Sequence, residues 1–213
     1  MWNLESIESP EAQQQGGIDV YDHNAWVIDR FNHEVQIFSI QGAFRGRWGT
    51  QGSGEGQFQN PSDIAVYGGG AYVADTGNDR VQVFSVGGTF FSEWGTKGGG
   101  DGEFHNPTGI AVFNDHVYVL DTGNNRVQIF TLDGSLIDEW GTEGSSEGQF
   151  KVPSALELHR NNVFVVDSAN HSVQIFTIGG GYVGEWGGRG YWSGRIPSTH
   201  RHRDLQQQRL CHG

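Results

Sequence analysis

The chain holds a single cysteine, Cys211, so no intramolecular disulfide can brace it. Positive charge is also scarce: 13 Lys and Arg stand against 25 Asp and Glu, a formal net charge of −12 over 213 residues. That balance repels phosphate backbones and argues against non-specific nucleic-acid binding. No apolar run is long enough to span a bilayer, so no membrane role is expected. The opening residues lack the charged start and apolar stretch of a signal peptide. With no disulfide available either, a cytoplasmic location is the expectation. Glycine reaches 34 residues, but no Gly-X-Y period accompanies it, which excludes a collagen-like rod. What the chain does have is aromatic content, 12% Phe, Trp and Tyr, enough to build a core and to exclude general disorder.

The aromatics are periodic. Trp48, Trp94, Trp140 and Trp186 are spaced by 46 residues, as are Phe38, Phe84, Phe130 and Phe176. Asp29, Asp75, Asp121 and Asp167 keep the same step, and so do Asn32, Asn78, Asn124 and Asn170. Pro61, Pro107 and Pro153 fall in register between the units. Within a unit, short β-branched and aromatic runs are separated by Gly, Asn and Asp. In the third these are Ile110–Val112, Val117–Val119, Val127–Phe130 and Leu136–Trp140. Runs of this length with such turns predict strands rather than helices. Each unit is therefore expected to be a four-stranded antiparallel meander.

One such sheet cannot bury both of its faces, so neighbours must stack. Radial stacking gives an all-β propeller, and 46 residues suit one blade. The expected blades are residues 17–50, 62–96, 108–142 and 154–188. Small aliphatic runs such as Ile64-Ala65-Val66 suit the crowded axis, and the Trp at the end of each outer strand suits the wider gap between diverging blades.

The units resemble the NHL repeat family. The resemblance rests on Asn60-Pro61-Ser62-Asp63-Ile64-Ala65-Val66 and on Asp75-Thr76-Gly77-Asn78-Asp79-Arg80-Val81-Gln82-Val83-Phe84. The latter is repeated as Asp121-Thr122-Gly123-Asn124-Asn125-Arg126-Val127-Gln128-Ile129-Phe130. There is no Trp-Asp dipeptide, which disfavours a WD40 assignment. The outer copies depart from the pattern: Arg80 and Arg126 become Glu34 and Ser172, and the turn glycine becomes Phe31 and Ala169. These changes read as degeneration of terminal blades, with local specialisation as the alternative. Family propellers usually carry six blades, sometimes five. The resemblance therefore implies an incomplete five- or six-bladed ring, with a closed four-bladed ring as the alternative.

The two ends read differently from the blades. Trp2 falls one period before Trp48, so residues 1–16 read as a partial linker. Residues 189–213 carry five arginines and one aspartate, against 8 Lys and Arg and 21 Asp and Glu over residues 17–188. Two readings of this tail stand side by side. One is an ordinary basic segment. The other is a fifth blade in a shifted frame, because codons read one base out from His200 onward permit a strand–turn–Val-Tyr-Val pattern like that of the third unit.

Antiparallel connectivity puts the Asp-Thr-Gly-Asn turns and the glycine-rich linkers on one face of the disc, the expected binding face. His33, Arg80, Arg126 and His171 lie there as candidate binding residues, although the arginines also suit ion pairs with acids of a neighbouring blade. Asp29, Asp75, Asp121 and Asp167 are expected to cap their own turns by accepting backbone N–H bonds. Asp19 and Glu157, on inner strands, are secondary candidates for a metal. Gly52-Ser53-Gly54-Glu55-Gly56 lacks the Gly-Lys-Ser/Thr ending of a phosphate loop. No catalytic residue and no cofactor are expected. The resemblance implies a non-catalytic scaffold that binds a protein partner, as in tripartite-motif ubiquitin ligases, with RNA binding demoted by the charge. A fragment of a metal-dependent lyase or hydrolase is the enzyme alternative. Self-association through open blade faces is a further expectation.

Overall fold

Alternation of apolar and polar residues between tight turns folds each unit into one sheet. The computed structural model describes residues 15–188. Blade 1 comprises β1 (Gln15–Tyr21), β2 (Asn24–Asp29), β3 (Glu34–Ser39) and β4 (Phe44–Trp48). A two-stranded ribbon, β5 (Thr50–Gln51) with β6 (Gln57–Phe58), forms the first linker. Blade 2 comprises β7 (Asp63–Tyr67), β8 (Gly70–Asp75), β9 (Arg80–Ser85) and β10 (Phe90–Trp94). Blade 3 follows with β11 (Pro107–Phe113), β12 (His116–Asp121), β13 (Arg126–Thr131) and β14 (Leu136–Trp140). Blade 4 has β15 (Pro153–His159), β16 (Asn162–Asp167), β17 (Ser172–Thr177) and β18 (Tyr182–Gly187). Every blade is an antiparallel meander in chain order. The expectations for residues 1–14 and for the tail 189–213, Cys211 included, lie outside the described residues.

The first hairpin of blades 1, 2 and 3 turns on two residues with positive φ: Asp22-His23, Gly68-Gly69 and Asn114-Asp115. That backbone matches the twist of the strands it joins. The second connection is a single 3₁₀ turn, Thr76–Asn78, Thr122–Asn124 or Ser168–Asn170, closed by a left-handed residue at Asp79, Asn125 or His171.

Three apolar clusters weld the four blades face to face. The inner strands pack in sequence, β1 on β7, β7 on β11 and β11 on β15. Linker residues Phe58, Phe104 and Phe150 are wedged into the seams, fully buried beside Phe84, Phe130 and Phe176. Trp48, Trp94 and Trp140 each lean across to the next blade: the Trp48 ring centroid lies 4.4 Å from that of Phe84, and Trp140 lies 5.7 Å from Phe176. Glycine is required where the next blade's turn approaches this ring. Gly134 has φ +88°, and a Cβ there would run into Trp94.

Hydrogen bonds cross every seam, and those between blades 2 and 3 and between blades 3 and 4 repeat one pattern of donation. Thr76 Oγ1 donates forward to the Pro107 carbonyl at 2.7 Å, and Thr122 Oγ1 to that of Pro153 at 2.9 Å. In return, the backbone N–H of Asn60, Asn106 and Val152 donates back to His33 Nδ1, Asp79 Oδ1 and Asn125 Oδ1.

Among the described residues nothing covers the two terminal faces. Ile18 is 61% exposed, whereas its counterparts Ile64 and Ile110 are 2% and 3% exposed. At the other end Trp186 is 43% exposed. Blades 1 and 4 therefore do not seal the array into a closed four-bladed ring. The described blades form an open arc.

Candidate functional site

The turns and linkers meet on one face, as their connectivity dictates. The Gly77 N–H donates to the Gln59 carbonyl at 2.7 Å, and Asn78 Nδ2 to that of Gly52 at 2.9 Å. At the centre of blades 2, 3 and 4 sits a fully buried aspartate. Asp75 Oδ1 accepts the backbone N–H of Gln59, while Oδ2 accepts from Asn78, Arg80 and Gln82. Asp121 repeats this with His105, Asn124, Arg126 and Gln128. The backbone donor comes from the incoming linker, so these aspartates fasten linker to turn rather than cap their own turns. Only in blade 1 does the expected contact occur: Asp29 Oδ1 accepts the N–H of Asn32 at 3.0 Å.

The arginines are committed to the same network. Arg80 Nε donates to Asp75 at 2.8 Å and Nη1 to Glu93 at 2.7 Å, while Nη2 reaches the carbonyls of Gly54 and Gln57, both at 2.9 Å. Arg126 does the same with Asp121, Glu139, Gly100 and Glu103. Both side chains are 8% exposed, and their acidic partners belong to their own blade. This corrects the expectation of free binding arginines, and also that of pairing with a neighbouring blade. Antiparallel pairing of β9 with β10 sets Arg80 beside Glu93, and a buried guanidinium with four of its five N–H donors engaged within its own blade is committed to structure.

The outer blades vary this theme in ways the sequence reading did not resolve. Blade 1 exchanges the charges: Glu34 is the buried member and Arg47 approaches it at 3.5 Å. Blade 4 keeps Asp167, Asn170, Gln174 and Glu185 but has Ser172 in place of the arginine. A recess of about 520 Å³ opens there, lined by Asp167, Ser172, Gln174, Glu185, Glu143 and Lys151 among others. Of the two histidine candidates, His33 is tied by its bond to the Asn60 N–H, while His171 is exposed at the left-handed position ending the blade 4 turn.

On the inner strands, Asp19 accepts the N–H of Val20 and of Val66 across the seam, both at 2.7 Å. Glu157 accepts that of Leu158 at 3.1 Å. Among the described residues no three His, Cys, Asp or Glu side chains are grouped to hold an ion. Asp63, which the sequence reading passed over, makes the analogous bridge in the next seam. Its Oδ2 accepts the Ile110 N–H at 2.9 Å and its Oδ1 the Ile64 N–H at 2.9 Å. Burial pushes this carboxyl up to about 7, opposed by those two N–H bonds and reinforced by the charges of Glu157 and Asp19.

Comparison with known proteins agrees with this architecture. A family model described as NHL repeat matches residues 58–84 and 104–130. No curated protein matches significantly. Among solved structures, virginiamycin B lyase from Staphylococcus aureus is similar with a TM-score of 0.62 at 16% identity, over 91% of this chain and 58% of that one. A streptogramin B lyase gives 0.61 at 16%, over 84% and 56%. Hydrazine synthase of Kuenenia stuttgartiensis gives 0.60 at 17%, over 81% and 48%. At these identities the likeness is one of fold. The chain spans little more than half the length of either lyase.

Proposed function

We propose that this array of NHL repeats is a non-catalytic scaffold whose loop face binds a protein partner. The supporting observation is a rigid, acidic platform. Buried aspartate networks fix the linkers of blades 2, 3 and 4 to their turns. On the linkers so held, Glu55, Asp101 and Glu147 recur at the repeat spacing and are exposed. Fixed loops present a surface with little ordering cost on binding, and a row of carboxylates favours a basic partner over nucleic acid.

A photo-crosslinking side chain at position 101, on this face, and another at 133, in the opposite turn of blade 3, tests the proposal. Saturable crosslinking to one protein from 101 alone, lost when Glu55, Asp101 and Glu147 are reversed to lysine, is expected. Equal crosslinking from 133, or indifference to charge reversal, would refute it.

A lyase or hydrolase is the alternative, motivated by one group. The Asp63 carboxyl, held near neutrality on an inner strand, is suited to proton transfer. Turnover of a streptogramin by the protein, abolished in Asp63→Asn, would favour that reading over the scaffold.

A further inference from the structure

We infer that the blade 4 recess is a binding site for the guanidinium of an arginine side chain presented by a protein partner. Blades 2 and 3 show what the site is shaped for. In each, a guanidinium is held by a buried aspartate on Nε, a glutamate on Nη1 and two linker carbonyls on Nη2. The repeat places Asp167, Glu185 and the carbonyls of Ser146 and Gln149 at the corresponding positions of blade 4.

The supporting frame there is intact. The Lys151 N–H donates to Asp167 Oδ1 at 2.7 Å, while Asn170 and Gln174 donate to Oδ2 at 2.7 and 2.9 Å. Gln174 also donates to the Gln149 carbonyl at 2.6 Å and accepts the Gly148 N–H at 3.0 Å, as Gln82 and Gln128 do in their own blades. Ser172 stands where blades 2 and 3 have their arginine. Ser172, 7% exposed, lines the space, and its hydroxyl makes no hydrogen bond among the described residues.

Three carboxylates, Glu143, Asp167 and Glu185, border the recess against the single ammonium of Lys151, which favours a cationic guest. Planar donors directed at the two carboxylates Asp167 and Glu185 select guanidinium over ammonium. A volume of about 520 Å³ takes the whole arginine side chain together with adjoining backbone. The partner's identity as a protein rests on the loop-face reading above, whereas the recess itself is tested with a small probe and can succeed or fail independently.

The full chain is titrated by calorimetry with acetyl-Gly-Arg-Gly-amide and with its lysine analogue. Saturable binding of the arginine peptide, at least about tenfold tighter than the lysine one, is expected. Ser172→Arg, which supplies the guanidinium from within, abolishes it, and Glu185→Gln weakens it about tenfold without filling the site. No saturable binding up to millimolar peptide, or equal binding to Ser172→Arg and wild type, overturns the inference. Tight binding that appears only when the five tail arginines are changed to glutamine also overturns it, assigning the recess to the chain's own tail.

Discussion

Asp63→Asn isolates the energetic consequence of burying a carboxylate in the seam between blades 2 and 3. The folded-state carboxyl titrates at about 7, against an ordinary value of 3.8. An acid whose pKa is raised by folding binds its proton more tightly in the native state. Its contribution is therefore fully present below the unfolded pKa and is lost as pH rises towards 7. Each pH unit well inside that window is worth about 1.4 kcal/mol and the slope falls off near the folded pKa, so between pH 5 and pH 7 wild type sheds about 2 kcal/mol through this one group. Asparagine does not ionise and should not show that loss. Its amide nitrogen cannot accept a hydrogen bond, whereas both oxygens of the carboxyl, protonated at pH 5 or not, carry lone pairs for the Ile64 and Ile110 N–H groups. The variant should therefore start about 1 kcal/mol less stable at pH 5. The two stabilities should cross and finish with the variant about 1–2 kcal/mol ahead at pH 8, measured by urea unfolding with the m-value held constant. Asp19→Asn should narrow the gap, since Asp19 is one of the charges facing the group. Parallel pH dependences for wild type and Asp63→Asn would refute the argument.

Other perturbations probe the ion pairs, the turns and the exposed blade face. Arg126→Ala leaves Asp121 buried without its cation and should cost about 3–5 kcal/mol by denaturant unfolding. Gly134→Ala forces a side chain at positive φ into Trp94 and should cost about 1–3 kcal/mol, while Gly46→Ala, in open space, should be nearly silent. Charged residues at Ile18 and Val20, on the uncovered face of blade 1, should abolish any concentration-dependent growth of apparent mass in light scattering.

The repeat made most of the fold legible. A 46-residue step with turn residues at fixed offsets fixes strand order, loop face and inter-blade stacking before any coordinate is known. The pairing Arg80–Glu93 was also within reach, because the charges are exchanged in Glu34–Arg47. A swap of sign at two positions 13 residues apart signals contact even without homologues. Other features were hidden by the strength of the period. Asp63 aligns with Gly17, Gly109 and Ala155, so a search for recurring residues discards it. Ser172 read as decay because its environment, a buried aspartate still held by three donors, exists only in three dimensions. Where a neighbouring blade supplies the partner, as the Ile110 N–H does for Asp63, sequence spacing alone does not reveal it.

The fixed polarity of the seam bonds, forward from Thr76 and Thr122 and back from Asn60, Asn106 and Val152, also bears on descent. Blades 2 and 3 carry the same plug on one side, and blades 3 and 4 the same socket on the other. An unequal crossover that gains or drops a whole period then creates no junction that did not already exist. Copy number can drift in such a gene while every interior joint stays native, and only the outermost pair of surfaces is left to adapt.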